Sequence, residues 1–189
     1  MQTKHRFTRN NLSLLLPFLL LGIFNVGYGE EKKEAIPLVK ETGLSHWRAY
    51  GAGMLQVDSL GSDGLSISVD WEKTTFGLGA IYEVISEGEK FPDLSEIQKI
   101  SIEAKSEKKD GTRLAPEWLL MQETAIRLPD NKQPELSDQW QTFTFKIPDD
   151  FPKFASQLDA VKALRLLFIN KDKETKQGQV SFRNVELIP

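Results

Sequence analysis

Residues Trp140 to Phe151 read WQTFTFKIPDDF. Phe143, Phe145 and Ile147 alternate with Thr142, Thr144 and Lys146, the period of two that puts apolar side chains on one face of a β-strand. Pro148 removes a backbone donor and, with Asp149 and Asp150, ends the ladder. Phe151 follows as an apolar plug beyond the turn. Trp140 shares the phase of Thr142 and Thr144, away from the Phe row, and reads as a scaffold position. The apolar row needs a second layer to cover it, so the stretch points to a sandwich.

Further strands of this kind extend on both sides. Leu65 to Trp71 (LSISVDW) is the cleanest alternation, with Leu65, Ile67, Val69 and Trp71 on one face. Before it, Trp47 to Tyr50 starts the fold with Trp47 as a plug, and Met54 to Asp58 is a short strand with Leu55 and Val57 in the inward phase. In Phe76 to Val84, the residues Phe76, Leu78, Ala80, Tyr82 and Val84 share a face, with Gly77 and Gly79 on the other. Trp71 and Tyr82 are therefore read as core and not as sugar-stacking platforms. Ile100, Ile102 and Ala104 alternate in the next strand, and Asp110-Gly111 is the tight point of the turn after it.

Trp118 to Ile126 is a strand candidate with Leu119 and Met121 inward, leaving Trp118, Gln122 and Thr124 on the opposite face. Ala163 to Asn170 (ALRLLFIN) is apolar on both faces, as for a central strand. In the last strand Val180 and Phe182 are out of step with Val185 and Leu187, and a β-bulge at Arg183-Asn184 restores inward pointing. About eight or nine strands with many turn signals and no long helix give an all-β fold, an antiparallel β-sandwich of jelly-roll type.

Hydrophobic content of 40% with 27% charged residues fits a globular domain. Residues 1–29 read as a secretory signal peptide. Lys4, Arg6 and Arg9 form the positive end, Leu12 to Phe24 an apolar core broken by Pro17, and Gly27 and Gly29 a small-x-small cleavage site. The apolar run is shorter than the ~20 residues of a spanning helix, so no transmembrane segment is expected after processing. Residues 30–44 read as a tether and 45–189 as the sandwich. Loss of the three basic residues makes the chain more acidic than its formal charge of −3, which leaves no electrostatic footprint for nucleic acid. With no cysteine there is neither a disulfide nor a lipobox. The expected location is secreted or periplasmic, in a bacterial context.

The catalytic inventory is thin. His46 is the only histidine left after processing, and no nucleophile-elbow motif is present. Carboxylates are abundant. Glu123 shares the phase of Leu119 and Met121, which would bury it in part and raise its pKa, against a strand end reaching water. No enzymatic activity is expected.

The C-terminal half, in the order ISIEAKS, WQTFTFKIPDDF, LRLLFIN and GQVSFRNVELI, resembles the carbohydrate-binding modules with galactose-binding-like jelly-roll topology. The resemblance covers roughly residues 95–188 and more loosely 45–188. It implies a non-catalytic module that holds a polysaccharide on a shallow face. Many such modules carry an Asp of a structural calcium site in the last strand, where this chain has Arg183-Asn184, so no metal or other cofactor is expected. Trp118 is the candidate stacking residue, Gln122 and Thr124 hydrogen-bond hydroxyls beside it, and Gly77 and Gly79 floor the groove. Arg165 points away from Leu164, Leu166 and Phe168 and is either a ligand-binding guanidinium or half of an ion pair. Two alternatives remain. One is an envelope protein-interaction module on the same scaffold. The other is a small hydrolase, because LSHWRAYG and SFRNVEL are similar to the edges of the concanavalin-like 3-keto-glycoside hydrolases.

Overall fold

The computed structural model describes residues 33–39, 46–61, 63–74, 77–83, 90–122, 124–152, 154–171 and 175–189. The expected signal peptide, its cleavage site, Phe76, Val84 and Glu123 lie outside the described residues. Among those described, two antiparallel sheets are present. One has the strand order β3 (Met54–Ser59), β4 (Gly64–Asp70), β11 (Gln177–Ile188), β6 (Lys99–Ser106), β9 (Gln141–Lys146), with β1 (Ile36–Pro37) pairing to β11. The other runs β2 (Trp47–Tyr50), β5 (Leu78–Glu83), β10 (Val161–Asn170), β7 (Thr112–Leu120), β8 (Ala125–Arg127). The antiparallel β-sandwich read from the alternation is the observed fold.

The inward rows meet as expected. Ile67, Val69, Ile100, Ile102 and Phe145 from the first sheet, with Ile147 just beyond its last strand, are buried with Leu78, Tyr82, Leu164, Leu166 and Phe168 from the second. Trp71 is fully buried and Trp47 nearly so. In β11 the register shifts between Arg183 and Glu186, and Asn184 takes a positive φ of 49°. That bulge lets Val180, Phe182, Val185 and Leu187 all be buried. After β9 the chain turns into a short helix, α1 (Ile147–Asp150), with Pro148 in its first turn. The Asp150 carboxylate accepts the Lys146 backbone N–H at 2.7 Å, so the turn chemistry is supplied by the residues that end the ladder.

Three expectations need correction. The tether is not wholly outside the sandwich, because Ile36–Pro37 pairs with Leu187 and Glu186, and Leu38 and Val39 are buried in the core. A two-residue strand is too short to show a period. Leu55 and Val57, read in one phase of a short strand, do not face the core, since β3 is an edge strand and they are 52% and 42% exposed. The strand around Trp118 begins at Thr112, and its inward residues are Leu114, Pro116, Trp118 and Leu120, while Met121 is exposed. Pro116 hides this strand from sequence reading. Its carbonyl accepts the Leu128 N–H at 3.1 Å, so its missing donor falls on the short edge strand and the ladder to β10 stays whole.

Across β11 and β6, the Arg183 Nε donates to the Glu103 carboxylate at 2.6 Å, and the guanidinium lies 4.3 Å from the Trp140 ring centre. The hydrogen bond from Arg183 holds the Glu103 carboxyl below its ordinary 4.5, helped by Asn184 and opposed by burial. A lowered folded-state pKa contributes stability that is complete above the unfolded value and is lost as pH falls through the folded one. Arg183→Gln should therefore flatten the acid limb of the stability profile below 4.5. The difference should stay under about 1 kcal/mol because the pair is partly solvated. Urea midpoints measured along a pH series check this, and parallel profiles for the two proteins would refute it.

Candidate functional site

Strand parity fixes which side chains leave the sandwich. In β10, Leu164, Leu166 and Phe168 point into the core, so Arg165 must point out. The register then sets one residue from each strand of the five-stranded sheet in a row across its outer face: Arg48, Ile81, Arg165, Glu117 and Arg127. With strands about 4.8 Å apart the row spans roughly 19 Å. The neighbouring row is Tyr50, Gly79, Leu167 and Ala115. On the other side lie Glu83, Ala163, Leu119 and Ala125. Ile81, Ala115, Ala163 and Leu167 are buried yet fall outside the main core cluster. They form an apolar floor between the longer polar groups.

Glu117 is the centre of the row. It is fully buried, and its Oε2 accepts from Arg127 Nε at 3.1 Å and Nη2 at 2.9 Å. Its Oε1 accepts from Arg165 Nη2. The Arg165 guanidinium carbon lies 4.7 Å from the ring centre of Tyr50, which is itself 39% exposed. At the β2 edge, Arg48 pairs with Glu83 at 2.8 Å. A planar fork held by a buried carboxylate on one side and an aromatic ring on another has little rotamer freedom left. Fixed guanidinium and phenol groups above an apolar floor are suited to hydrogen-bonding the hydroxyls of a chain laid across the sheet.

The residues proposed from sequence do not form one site. Trp118 is completely buried and packs on Phe154, Phe151 and Phe91 at 4.9, 6.0 and 6.4 Å between ring centres. It cannot stack on a ligand, and its expected role is withdrawn. Gln122 and Thr124 are exposed beyond the last β7–β8 pair, Leu119–Ala125. They line a recess of about 320 Å³ with Ser156, Gln157 and Asp159, away from the arginine row. Gly79 does not floor a groove for a ligand: a Cβ there would come within 1.7 Å of the Leu166 carbonyl oxygen. Gly77 has a φ of 150° and a Cβ there would meet the Phe168 carbonyl oxygen at 3.0 Å. Both glycines let β10 approach closely. Arg165 alone among the proposed residues sits at a convergence of functional groups. Among the described residues no group of three or more His, Cys, Asp or Glu is placed to hold a metal, and no helix is long and apolar enough to cross a membrane.

Glu117, Arg127, Arg48 and Tyr50 were not singled out by sequence reading. The signal lay in Arg113-x-Ala115-x-Glu117-x-Leu119, which alternates with Leu114, Pro116, Trp118 and Leu120 once Pro116 is allowed inside the strand.

No family model matches the chain, and no curated protein matches it. Solved structures do. The chain is similar to the family 11 carbohydrate-binding module of the cellulosomal cellulase Lic26A-Cel5E of Clostridium thermocellum, at 17% identity and a TM-score of 0.53 over 82% of this chain and 94% of that one. It is also similar to a family 11 module from Clostridium thermocellum in complex with a β-1,3-1,4-mixed-linked tetrasaccharide, at 16% identity and TM-score 0.53, covering 82% and 95% of the two chains. A family 29 carbohydrate-binding module complexed with mannohexaose gives 10% identity and TM-score 0.53, covering 82% and 90%. At these identities the likeness establishes the fold: the sandwich is built as in those carbohydrate-binding modules.

Replacing Glu117 by Gln removes the anion from between two guanidiniums, of which Arg165 is only 14% exposed. The expected loss of stability is on the order of 3 kcal/mol, whereas Arg127→Gln, which leaves the Arg165 contact in place, should cost about 1 kcal/mol. Denaturant titration of both variants decides the matter. Equal, small losses would show that Glu117 does not anchor the row.

Proposed function

We propose that the chain is an exported, non-catalytic carbohydrate-binding module that takes a polysaccharide across the outer face of the five-stranded sheet. The observation that carries this reading is the Arg48–Ile81–Arg165–Glu117–Arg127 row, which crosses all five strands with Tyr50 stacked on its central arginine. Its support from outside the chain is the shared fold with modules whose structures hold oligosaccharides. Guanidinium N–H groups and the Tyr50 hydroxyl bond the hydroxyls of the sugar, and the Tyr50 ring offers an apolar surface to its C–H face. Among the described residues, the carboxylates on the strands of this face, Glu117 and Glu83, are each engaged by arginine, an arrangement that positions donors more than an acid–base pair for hydrolysis. Export to the periplasm or the exterior agrees with the leader read in residues 1–29 and with the absence of cysteine.

Affinity electrophoresis in gels containing soluble polysaccharides tests the site. Tyr50→Ala and Arg165→Gln should each weaken retardation by about tenfold in dissociation constant. Gln122→Ala and Thr124→Ala should run like the parent protein. The reverse pattern would move the site to the recess at the β7–β8 turn.

A further inference from the structure

One edge of the six-stranded sheet is β3, which pairs with β4 on one side and with no described strand on the other. Of the five large hydrophobic residues exposed among those described, three lie on this strand or at its end: Leu55, Val57 and Leu60. The other edges are guarded. Arg48 stands on β2, Arg127 on β8 and Lys146 on β9, and the short β1 carries Pro37. Cations and proline are the residues that keep a sheet edge from pairing with another chain. β3 reads MLQVDS and has neither; its one charge is Asp58.

The hydrogen-bond phase of β3 fixes which of its peptide groups are on offer. The Leu60 N–H donates to the Gly64 carbonyl at 2.9 Å, so Leu60 and Gly64 form a bonded pair. Bonded and non-bonded pairs alternate along an antiparallel ladder. Ser59–Leu65 and Val57–Ile67 are therefore non-bonded pairs, while Asp58–Ser66 and Gln56–Ser68 are bonded ones. The peptide groups of Gln56 and Asp58 are used by β4, and those of Val57 and Ser59 turn to the free edge. The bulge of β3 lies between Met54 and Gln56, which leaves the stretch from Gln56 onward regular.

This phase restricts how a second β3 can pair with the first about a two-fold axis. An outward peptide must meet an outward peptide, so the axis passes at Gln56, Val57 or Asp58 if most of the strand is to overlap. At Asp58 it sets two carboxylates directly opposite each other. At Gln56 it leaves each Asp58 opposite a Met54. At Val57 it bonds Val57 to its own copy and Leu55 to Ser59, and it sets Gln56 opposite Asp58 twice. Those two pairs are non-bonded, the kind in which side chains come closest. Gln56 and Asp58 are matched chemically, since within one chain the Gln56 Nε2 already donates to Asp58 Oδ1 at 2.7 Å. The second N–H of that amide is free to serve the neighbouring carboxylate.

We propose that β3 is an interface for a second copy of this chain, paired antiparallel with Val57 on the two-fold axis. The surface is self-complementary: Gln56 of each copy meets Asp58 of the other, and the exposed Leu55, Val57 and Leu60 gain apolar neighbours. The two-fold axis is perpendicular to the joined sheet, so the five-stranded sheets of both copies lie on the same side and their outer faces stay open. The pairing does not depend on the saccharide reading.

Sedimentation velocity of the purified protein over about a hundredfold range of concentration should show a monomer passing into a dimer; a monomer throughout overturns the proposal. The register is tested by cross-linking. The chain has no cysteine, so Val57→Cys supplies a single thiol, and mild oxidation should link two copies because bonded partners have Cα atoms about 5.5 Å apart. Ser59→Cys should stay unlinked, its two copies being four residues out of register, roughly 13 Å. Gln56→Glu, which puts like charges opposite each other twice, should weaken the dimer by about tenfold. Combining Gln56→Glu with Asp58→Lys should restore it, an exchange that only the Val57-centred register allows. A dimer indifferent to these changes, or one linked through Ser59→Cys and not Val57→Cys, overturns the assignment; the sedimentation result uses the unaltered protein and stands even where a variant folds poorly.

Discussion

The contact on which the molecule depends is the meeting of Phe168 and Phe182 between the two central strands, β10 and β11, with ring centres 6.3 Å apart and planes within 29°. Trp47 joins them at 4.9 Å from Phe182 and carries the contact on to Tyr82 at 5.4 Å. These rings bridge the two sheets with broad apolar surfaces and set which face of each central strand is inside. In β10, once Phe168 is inward, Arg165 is outward. In β11, once Phe182 is inward, Val185 can follow only through the bulge at Asn184. The core thus decides the composition of the outer face without touching it.

That outer face carries a buried carboxylate at its centre. A Glu with no exposure on a sheet surface is tolerated because two guanidiniums reach it, one along β7–β8 and one across β7–β10. The arrangement stiffens three strands at once and leaves a Tyr-capped arginine presented to whatever lies over the sheet. In the proposed function, structural and recognition roles are joined here: the ion pairs that hold the strands together are the ones that orient the donors. Trp140 on the opposite sheet shows the contrasting case. It is flanked by Arg183 and Lys105 and serves as packing for an ion pair.

Much of the fold was legible because alternation reports burial directly wherever a strand is covered on one face. Phe143–Ile147, Leu65–Trp71 and the phase slip at Arg183-Asn184 were all readable in this way. The rest was obscured for physical reasons. The pairing of Ile36–Pro37 and the burial of Leu38 and Val39 rest on tertiary contact with no local period. At β3 an edge position defeated the inference from alternation to burial. At β7 the strand was read only from Trp118 onward, where apolar Leu119 and Met121 set the apparent inward phase, and without Leu114 and Pro116 in the same strand the faces of Trp118 and Leu119 were inverted. The site inherited the inversion: a core tryptophan was read as a platform, while Glu117, one residue away, was missed. Arg165 was found because β10 is central and its parity is unambiguous.

The central claim is that the Glu117-anchored arginines of the five-stranded sheet, and not the polar face of the other sheet, meet the ligand. It is tested most directly by following the arginine side-chain Nε–Hε resonances by NMR while an oligosaccharide of a polymer that binds is titrated in, with assignments from single substitutions. The account predicts that the Arg165 and Arg127 signals move in a saturable way while the Arg183 signal stays in place. Movement of Arg183 with Arg165 and Arg127 unchanged would contradict it.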